Sequence, residues 1–147
     1  MPTQVRPFLM FESRAEEAMR FYASVFGTEI TEPIMRMTDG PEMPGAPALS
    51  DAEKDLVMHM EVTILGGHVL QATDMIESMG HAVTLGNNMT IALEPDTRAE
   101  NERLFAALSE GGSDVMGLMD MFWGSYFGTC VDKFGVRWMF NCEEKKA

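Results

Sequence analysis

The stretch RAEEAMRFYASVFG, from Arg14 to Gly27, returns in a related form as RAENERLFAALSEG, from Arg98 to Gly111. Each copy follows a short apolar run that ends in glutamate, LMFE at residues 9–12 and IALE at residues 91–94. A strand-helix pair repeated at this distance is typical of one half-domain unit that is used twice. The alternative is a pair of ordinary amphipathic helices with a chance similarity.

The first copy has the signals of a helix. Ser13 is placed to act as N-cap and Glu16 to complete a capping box, while Gly27 supplies a left-handed stop. The apolar residues between them recur at helical spacing and predict one buried face, formed by Ala15, Ala18, Met19, Tyr22, Val25 and Phe26.

The second copy repeats these signals, with Thr97 and Glu100 as the box and Gly111-Gly112 as the stop. Its register against the first copy is ambiguous by one position. Matching Arg14 with Arg98 gives an offset of 84, whereas matching the apolar positions Val25 and Leu108 gives 83. We favour 83, because packing of the apolar face decides how a helix sits.

Composition narrows the function classes. A chain of 147 residues with 46% hydrophobic content is the size of one domain with its own core. The net charge of −12 would repel nucleic acid and anionic lipid, so neither is an expected partner. The N-terminus MPTQVRP lacks a signal-peptide pattern and no apolar run is long enough to span a membrane, which indicates a cytoplasmic location. Cys130 and Cys142 are expected to be reduced, buried residues.

The hydrophobic pattern predicts two strand-helix-strand-strand-strand units. A hairpin is predicted across Leu65-Gly66-Gly67, and the turn at residues 132–135 closes another. Pro33 favours an edge or a bulge for its strand. The segment at residues 39–55 is rich in proline, glycine and acidic residues, and is either a solvated loop or a lid or dimer-embracing arm. The predicted strands are residues 5–11, 29–37, 56–64 and 68–73, then 89–94, 114–119, 121–131 and 136–142.

These elements predict an α+β fold. Two paired βαβββ modules, residues 5–74 and 88–142, would form a cupped mixed sheet with the helices outside, because neither module buries a sheet face alone. Residues 1–147 would thus be a single domain. The inner face would be a concave pocket lined by alternate strand residues.

Four segments carry a family resemblance: PFLMF near the N-terminus, AMRFYASVFG, MHMEVTILGGHVLQATD at residues 58–74, and FWGSYFGTCVDKFGVRWMFN at residues 122–141. Together they resemble the PhnB-like branch of the vicinal oxygen chelate superfamily, relatives of glyoxalase I and bleomycin-resistance proteins. The resemblance implies the glyoxalase-like fold of paired βαβββ modules, in a homodimer.

The resemblance also implies where a metal would be bound. Metal-using members place His or Gln, Glu, His and Glu on four strands, and the matching positions here are Arg6 or Pro7, Gln71, Thr90 and Met139. Divalent ions that prefer nitrogen and oxygen need imidazole or carboxylate ligands, so we expect no metal and no cofactor. Relatives labelled as ubiquinone-pathway methyltransferases do not change this expectation, since the chain has no glycine-rich loop after a strand to hold S-adenosylmethionine.

The candidate site residues follow from alternation along the strands. His59 and Glu61 share a strand face and are the catalytic candidates, because a histidine beside a glutamate can act as a general base. A hydrogen-bonded sheet histidine is the more ordinary interpretation. Aromatic residues near the last hairpin can stack on a flat ligand. The residues expected to bind a ligand are Phe8, Met10, His59, Gln71, Thr90, Trp123, Tyr126, Met139 and Asn141.

Three functions are compatible with the sequence. The favoured one is a metal-free small-molecule binding protein that holds a hydrophobic or aromatic compound. The second is an enzyme of the same fold, a lyase, isomerase or dioxygenase-like activity with a displaced site at His59, Glu61 and Gln71. The third is a dimeric protein whose pocket has closed. A homodimer is expected in each case, from the resemblance and from sheet edges that need covering.

Overall fold

The computed structural model of the protein describes residues 3–41 and 44–147. The chain divides into two compact units, Met1–Thr84 and Leu85–Ala147. Their boundary falls between the two predicted βαβββ modules, residues 5–74 and 88–142, so each module lies inside one unit. The pairing of the two modules in one cupped sheet stays a prediction.

The first unit contains a four-stranded mixed sheet with one long helix, α1 (Ala15–Phe26), and a short helix, α2 (Asp51–Lys54). The strand order is β1-β4-β3-β2, with β1 parallel to β4 and the other pairs antiparallel. The strands are β1 (Phe8–Glu12), β2 (Ile30–Arg36), β3 (Val57–Thr63) and β4 (Val69–Met75).

The second unit repeats this topology around α3 (Arg98–Ser109). Its strand order is β5-β8-β7-β6, with β5 parallel to β8 and the other pairs antiparallel. The strands are β5 (Ile91–Leu93), β6 (Ser113–Asp120), β7 (Tyr126–Val131) and β8 (Arg137–Cys142). The predicted α+β architecture of two βαβββ modules is therefore confirmed.

The two long helices confirm the offset of 83. Both are 12 residues long, and α3 begins 83 positions after α1. Val25 and Leu108, which the apolar faces pair, are both buried. Ala18 corresponds to Asn101, which is fully buried. Packing of one helix face, and not the identity of Arg14 with Arg98, thus sets the register.

The predicted N-cap of α1 is wrong. Ser13 has a positive φ of 62°, Arg14 occupies the cap position, and no side chain of that segment caps the helix. The free backbone N–H of Ala15 donates instead to Oδ1 of Asp74 at 2.9 Å, from the end of β4. Glu16 does not complete a box, because its carboxylate is bound by Arg20 and Arg36.

The other helix ends follow the prediction more closely. Gly27 ends α1 with a left-handed φ of 65°. At the start of α3 the Thr97 hydroxyl accepts the N–H of Glu100 at 3.1 Å, although the Glu100 carboxylate turns to Arg103. Gly111 adopts a φ of 73° just after α3 ends.

A second buried aspartate, Asp132, organises the last hairpin. Oδ1 of Asp132 accepts the backbone N–H groups of Phe134 at 2.8 Å and Val136 at 3.1 Å, while Oδ2 accepts Nε1–H of Trp138 at 2.8 Å. The Gly135 N–H closes the turn on the Asp132 carbonyl. The predicted turn at residues 132–135 is confirmed, and the aspartate side chain is what stabilises it.

Each unit has an apolar core between its helix and its sheet. The largest fully buried side chains include Met19, Tyr22, Met60 and Leu70 in the first unit and Leu104, Leu108, Trp138 and Phe140 in the second. Within the described residues, no helix is long and apolar enough to cross a membrane.

The expected edge position of the Pro33 strand is confirmed. Strand β2 lies at an edge of its sheet, and its pairing with β3 shifts register between Thr31 and Met35. The excursion that follows is closed at its base by the Met37 N–H, which donates to the carbonyl of Leu56. Its described residues are exposed or half-buried, and residues 42 and 43 lie outside the described part. A lid or arm role for it stays a prediction.

Candidate functional site

Within the first unit, α1 covers one face of the sheet and leaves the other face open. Strand alternation places Phe8 and Met10 of β1, His59 and Glu61 of β3, and Gln71 of β4 on this open face, because their immediate neighbours on each strand include the buried residues beneath α1. Gln71 is paired with both Phe8 and Glu61, so three adjacent strands present these side chains in one row.

Glu61 is the centre of this row. Its Oε1 lies 3.2 Å from Nε2 of His59, 3.5 Å from Nε2 of Gln71 and 3.5 Å from Nη1 of Arg6. We call these four residues the Glu61 cluster. The sequence-predicted residues His59, Glu61 and Gln71 are therefore brought together, and Arg6 joins them from the segment before β1.

The cluster contains one permanent positive charge, on Arg6, and the Glu61 carboxylate that faces it. Donors converge on one carboxylate oxygen, and among the residues that the structure describes Oε2 of Glu61 accepts no hydrogen bond. The Glu61 side chain keeps 25% of its surface exposed. A carboxylate oxygen in this state can accept an N–H or O–H of a bound molecule.

An apolar surface adjoins the cluster. The ring centroids of Phe8 and His59 lie 5.9 Å apart with an interplanar angle of 34°. Phe8 is 43% exposed and Met10 51% exposed, so both offer apolar surface to the open face. Phe8 therefore supplies a ring on which a flat molecule can stack while its polar edge reaches Glu61.

The open face of the second unit carries Met139 and Asn141 of β8. Met139 of β8 is paired with Thr129 and Asn141 with Phe127. Trp123 packs edge-on against Phe127 with the ring centroids 5.9 Å apart, and 54% of its side chain is exposed. Trp123, Met139 and Asn141 are thus associated with one face of this sheet.

Tyr126 and Thr90 lie elsewhere in the second unit. The Tyr126 hydroxyl donates to Glu102 at 2.9 Å, and the Arg98 guanidinium lies 3.8 Å from the ring centroid, so Tyr126 faces α3. Burial raises the pKa of Tyr126, and its hydrogen bond to Glu102 raises it further. Thr90 is exposed and precedes β5. Neither residue is grouped with Met139 and Asn141.

Comparisons with known proteins show which family this chain belongs to. The family model described as 3-demethylubiquinone-9 3-methyltransferase matches residues 3–140. The chain belongs to this family. Protein PA1353 from Pseudomonas aeruginosa shares 36% identity and a TM-score of 0.80, with 97% of this chain and 98% of that chain covered.

The PhnB protein from Bacillus cereus, described as a 3-demethylubiquinone-9 3-methyltransferase, shares 29% identity and a TM-score of 0.74, over 95% of this chain and 99% of that one. A glyoxylase/bleomycin resistance protein/dioxygenase domain from Frankia sp. EAN1pec has a TM-score of 0.64 at 8% identity, covering 98% and 99%, and shows the fold alone. The chain is a PhnB-like protein of the vicinal oxygen chelate superfamily, with its glyoxalase-like fold.

The family resemblance implies four strand positions where metal-using relatives bind their metal ion. The residues at these positions decide whether this chain could bind a metal ion in the same way. In the first unit these positions hold Gln71 and either Arg6 or Pro7. The Arg6 guanidinium lies 3.5 Å from the Glu61 carboxylate and would repel a cation there, and a proline side chain offers no ligand atom. In the second unit they hold Thr90, which is exposed, and Met139, a soft thioether. This donor set does not fit a divalent metal that prefers nitrogen and oxygen ligands.

Arg6 is the member of the cluster that sequence reasoning does not find as a site residue. The family pattern marks Arg6 only as a position unsuited to a metal ion. Arg6, Phe8 and Met10 are two residues apart, and extending the alternation of β1 backwards would have placed Arg6 beside Phe8 on the open face.

Proposed function

We propose that this PhnB-like protein binds a flat, partly apolar small molecule on the open face of the first unit's sheet, without a metal ion. The observation that carries the proposal is the Glu61 cluster beside the exposed ring of Phe8. A ligand would stack on Phe8 and donate an N–H or O–H to Oε2 of Glu61. The combination of an apolar surface with a few convergent polar groups is the usual composition of a small-molecule site.

The strand registers support a polar site on the sheet of the first unit rather than on the sheet of the second unit. The row Phe8, Gln71 and Glu61 in the first unit corresponds, by strand order and pairing, to Ala92, Met139 and Thr129 in the second. Hydrogen-bonding capacity at this row is therefore much greater in the first unit. A ligand with both a ring and a polar edge has its partners there.

The family name would suggest methyl transfer, but the local structure favours binding. The strand-to-helix connection of the first unit is Ser13-Arg14, which offers an arginine side chain and no glycine for close approach of a cofactor. The chemistry we propose for this face is recognition by stacking and hydrogen bonding.

The proposal is tested by binding of a panel of flat aromatic compounds that carry a phenol, amide or amine, followed by ligand-observed NMR. Phe8→Ala and Glu61→Gln should each weaken a bound compound by about tenfold, through loss of stacking and of the carboxylate acceptor. The matched controls are His68→Ala and Glu29→Gln, which alter exposed residues of the same unit. Equal affinity in Phe8→Ala and wild type would overturn the proposal.

A specific contact favours a second candidate function. Nε2 of His59 lies 3.2 Å from Oε1 of Glu61, the arrangement in which a carboxylate orients an imidazole that moves a proton. An isomerase or lyase of this kind would lose at least about 100-fold in kcat in His59→Ala. The same activity in His59→Ala and in His68→Ala would exclude this role for His59.

We also propose that the protein acts in the cytoplasm as a homodimer. Its sheets have free edges at β2 and β6, and edge strands invite pairing or covering. The exposed apolar residues Met35 on β2 and Met119 on β6 add apolar surface at these edges that a partner can cover. Light scattering at micromolar concentration should give twice the 16.4 kDa of one chain, and a mass of one chain would contradict the dimer.

A further inference from the structure

A cavity in the second unit lies at the end of the sheet where β8 begins. It has a volume of about 490 Å³, within the range of small-molecule sites. None of its residues belongs to the Glu61 cluster, and none is a candidate site residue on the sequence alone. Its walls are formed by Leu85, Gly86, Asn87, Ser113, Asp114, Val131, Gly135 and Arg137.

Among the described residues that line this cavity, Arg137 alone carries a cationic side chain. Its Nε donates to the carbonyl oxygen of Gly86 at 3.1 Å, which fixes the plane of the guanidinium. Nη2 lies 3.7 Å from Oδ2 of Asp114, too far for a hydrogen bond. The Asp114 side chain is 72% exposed, so this ion pair contributes little to stability. A bound anion can therefore replace Asp114 as the partner of Arg137.

The guanidinium therefore has unused donor capacity. Arg137 is always charged and offers five N–H donors, of which the carbonyl of Gly86 takes one. Within the described part of the chain, Nη1 makes no hydrogen bond. The Arg137 side chain is 28% exposed, so the charge is partly withdrawn from water and interacts more strongly with an anion than a fully exposed one would.

The cavity wall is held in place by the surrounding structure. Arg137 is paired with Val131, and Val131 with Ser113, so three strands contribute to one wall. The turn before Arg137 is fixed by the three hydrogen bonds to buried Asp132. On the other side, Leu85 packs so closely on Gly135 that an added Cβ there would lie 2.8 Å from Cδ1 of Leu85. A preformed wall lowers the cost of ordering a site on binding.

We propose that this cavity binds the oxyanion group, carboxylate or phosphate, of a small molecule. Arg137 would hold two oxygens of the group, a geometry that a guanidinium favours, with the Asn87 amide and Ser113 hydroxyl lining the same space as further donors. Asp114 would turn outward to solvent. The proposal is independent of the function proposed for the first unit, because the two rest on different residues.

The charge of the protein narrows the choice of ligand. The chain carries 23 acidic and 11 basic residues, so anions are repelled from most of its surface. An anion that binds needs a local cation, and a cationic ligand would meet the Arg137 guanidinium. The cavity thus selects for an oxyanion and against a cation.

The test is an NMR titration of the full chain with sodium phosphate and, separately, sodium acetate, at constant ionic strength set with sodium chloride. A saturable shift of the Arg137 Nε–H and of the Ser113 and Asn87 amides is expected with at least one of the two anions. The anion that saturates distinguishes a phosphate site from a carboxylate site. Shifts that stay linear with both anions, as with chloride alone, would overturn the proposal.

Three variants make the titration decisive. Arg137→Gln should weaken anion binding by about tenfold or more, because the bidentate charged interaction is removed. Asp114→Asn should tighten anion binding severalfold, because the competing carboxylate is removed. This variant tests the proposal even if Arg137→Gln fails to fold. Arg103→Gln, an exposed arginine of α3, is the matched control and should bind as wild type. Unchanged or weaker binding in Asp114→Asn would contradict the proposal.

Discussion

Replacing Asp74 with asparagine should destabilise the protein more than any conservative change at the surface. Asp74 is 4% exposed, and both of its oxygens accept backbone N–H groups at 2.9 Å, Ala15 to Oδ1 and Val57 to Oδ2. It therefore connects the first turn of α1 to the start of β3. An asparagine amide has one acceptor oxygen, so its NH₂ group would face one of these N–H donors and leave it unsatisfied.

The magnitude follows from the two hydrogen bonds that Asp74 accepts and from its charge. A buried donor left without a partner costs about 1–3 kcal/mol. Loss of the negative charge at the N-terminus of α1 removes up to about 1–2 kcal/mol more in a buried setting. The expected loss for Asp74→Asn is therefore about 2–5 kcal/mol, a large part of the roughly 5–15 kcal/mol that is typical of a domain.

The assay is urea unfolding followed by far-UV circular dichroism, with Asp96→Asn as the matched control because Asp96 is exposed. The control should change the free energy of unfolding by less than about 0.5 kcal/mol. Faster hydrogen exchange at Ala15 and Val57 than at other core amides would locate the effect at the two donors. A loss below about 1 kcal/mol in Asp74→Asn would refute the reasoning, since it would mean that the two N–H groups find other partners.

Three further predictions concern other parts of the molecule. Gly112→Ala should lower the unfolding free energy by about 1–3 kcal/mol because its Cβ would meet the Val131 carbonyl oxygen, whereas Gly117→Ala, with open space around it, should change thermal stability little. The pKa of Glu16 is lowered to about 2, first by its hydrogen bond to Arg36 and then by that to Arg20, so its stabilising contribution is present above pH 4.5 and is lost as the pH falls toward 2. The stability difference between wild type and Glu16→Gln, about 1 kcal/mol at pH 7 by chemical unfolding, should vanish over that window, and a difference that persists at pH 2 would contradict it. Burial, helped by the charge of Asp132, raises the pKa of Cys130 to about 12, so iodoacetamide should label Cys130 at pH 8 only after unfolding, as read by peptide mass spectrometry.

The repeated helix was predictable because its signal is local. An apolar face at helical spacing followed by glycine determines α1 and α3 within a residue or so, and the same face settles the offset of 83. Strand alternation likewise placed His59 and Glu61 on one face, where the structure brings them within 3.2 Å. Periodicity of this kind needs no knowledge of distant residues.

The polar anchors were not predictable in this way. Asp74 reaches a helix that begins 59 positions earlier in the chain, and nothing near Asp74 marks it as a cap. Ser13 had the right residue type at the expected position, but its backbone adopts a left-handed φ and the distant aspartate takes its role. Arg137 was missed for a similar reason, because its partner Gly86 lies on another segment. Arg6 differs, since the alternation of β1 extended backwards would have placed it on the open face.

The two modules show how a repeated fold acquires different chemistry in its two copies. Both helices have the same length, and at the offset of 83 two buried positions coincide, Ala18 with Asn101 and Val25 with Leu108, because each helix must cover a four-stranded sheet. The open faces are free of that constraint. The pairing that joins Phe8, Gln71 and Glu61 in one copy joins Ala92, Met139 and Thr129 in the other, so the same backbone presents a ring with hydrogen-bonding groups in one case and small or apolar side chains in the other.

The same divergence affects the positions where the family resemblance implies a metal site. Gln71 and Met139 occupy equivalent places in the two modules, on the strands where metal-using relatives carry glutamates. Neither can supply the negative oxygen that a divalent ion prefers. The row Phe8, Gln71 and Glu61 contains one carboxylate, that of Glu61, and Arg6 lies beside it. The Arg6 guanidinium already balances the negative charge of Glu61, which a metal cation would otherwise balance. Removing that guanidinium with Arg6→Ala should therefore leave Glu61 free to attract a cation, whereas wild type should not, and calorimetry with Mn²⁺ on the two proteins measures the difference.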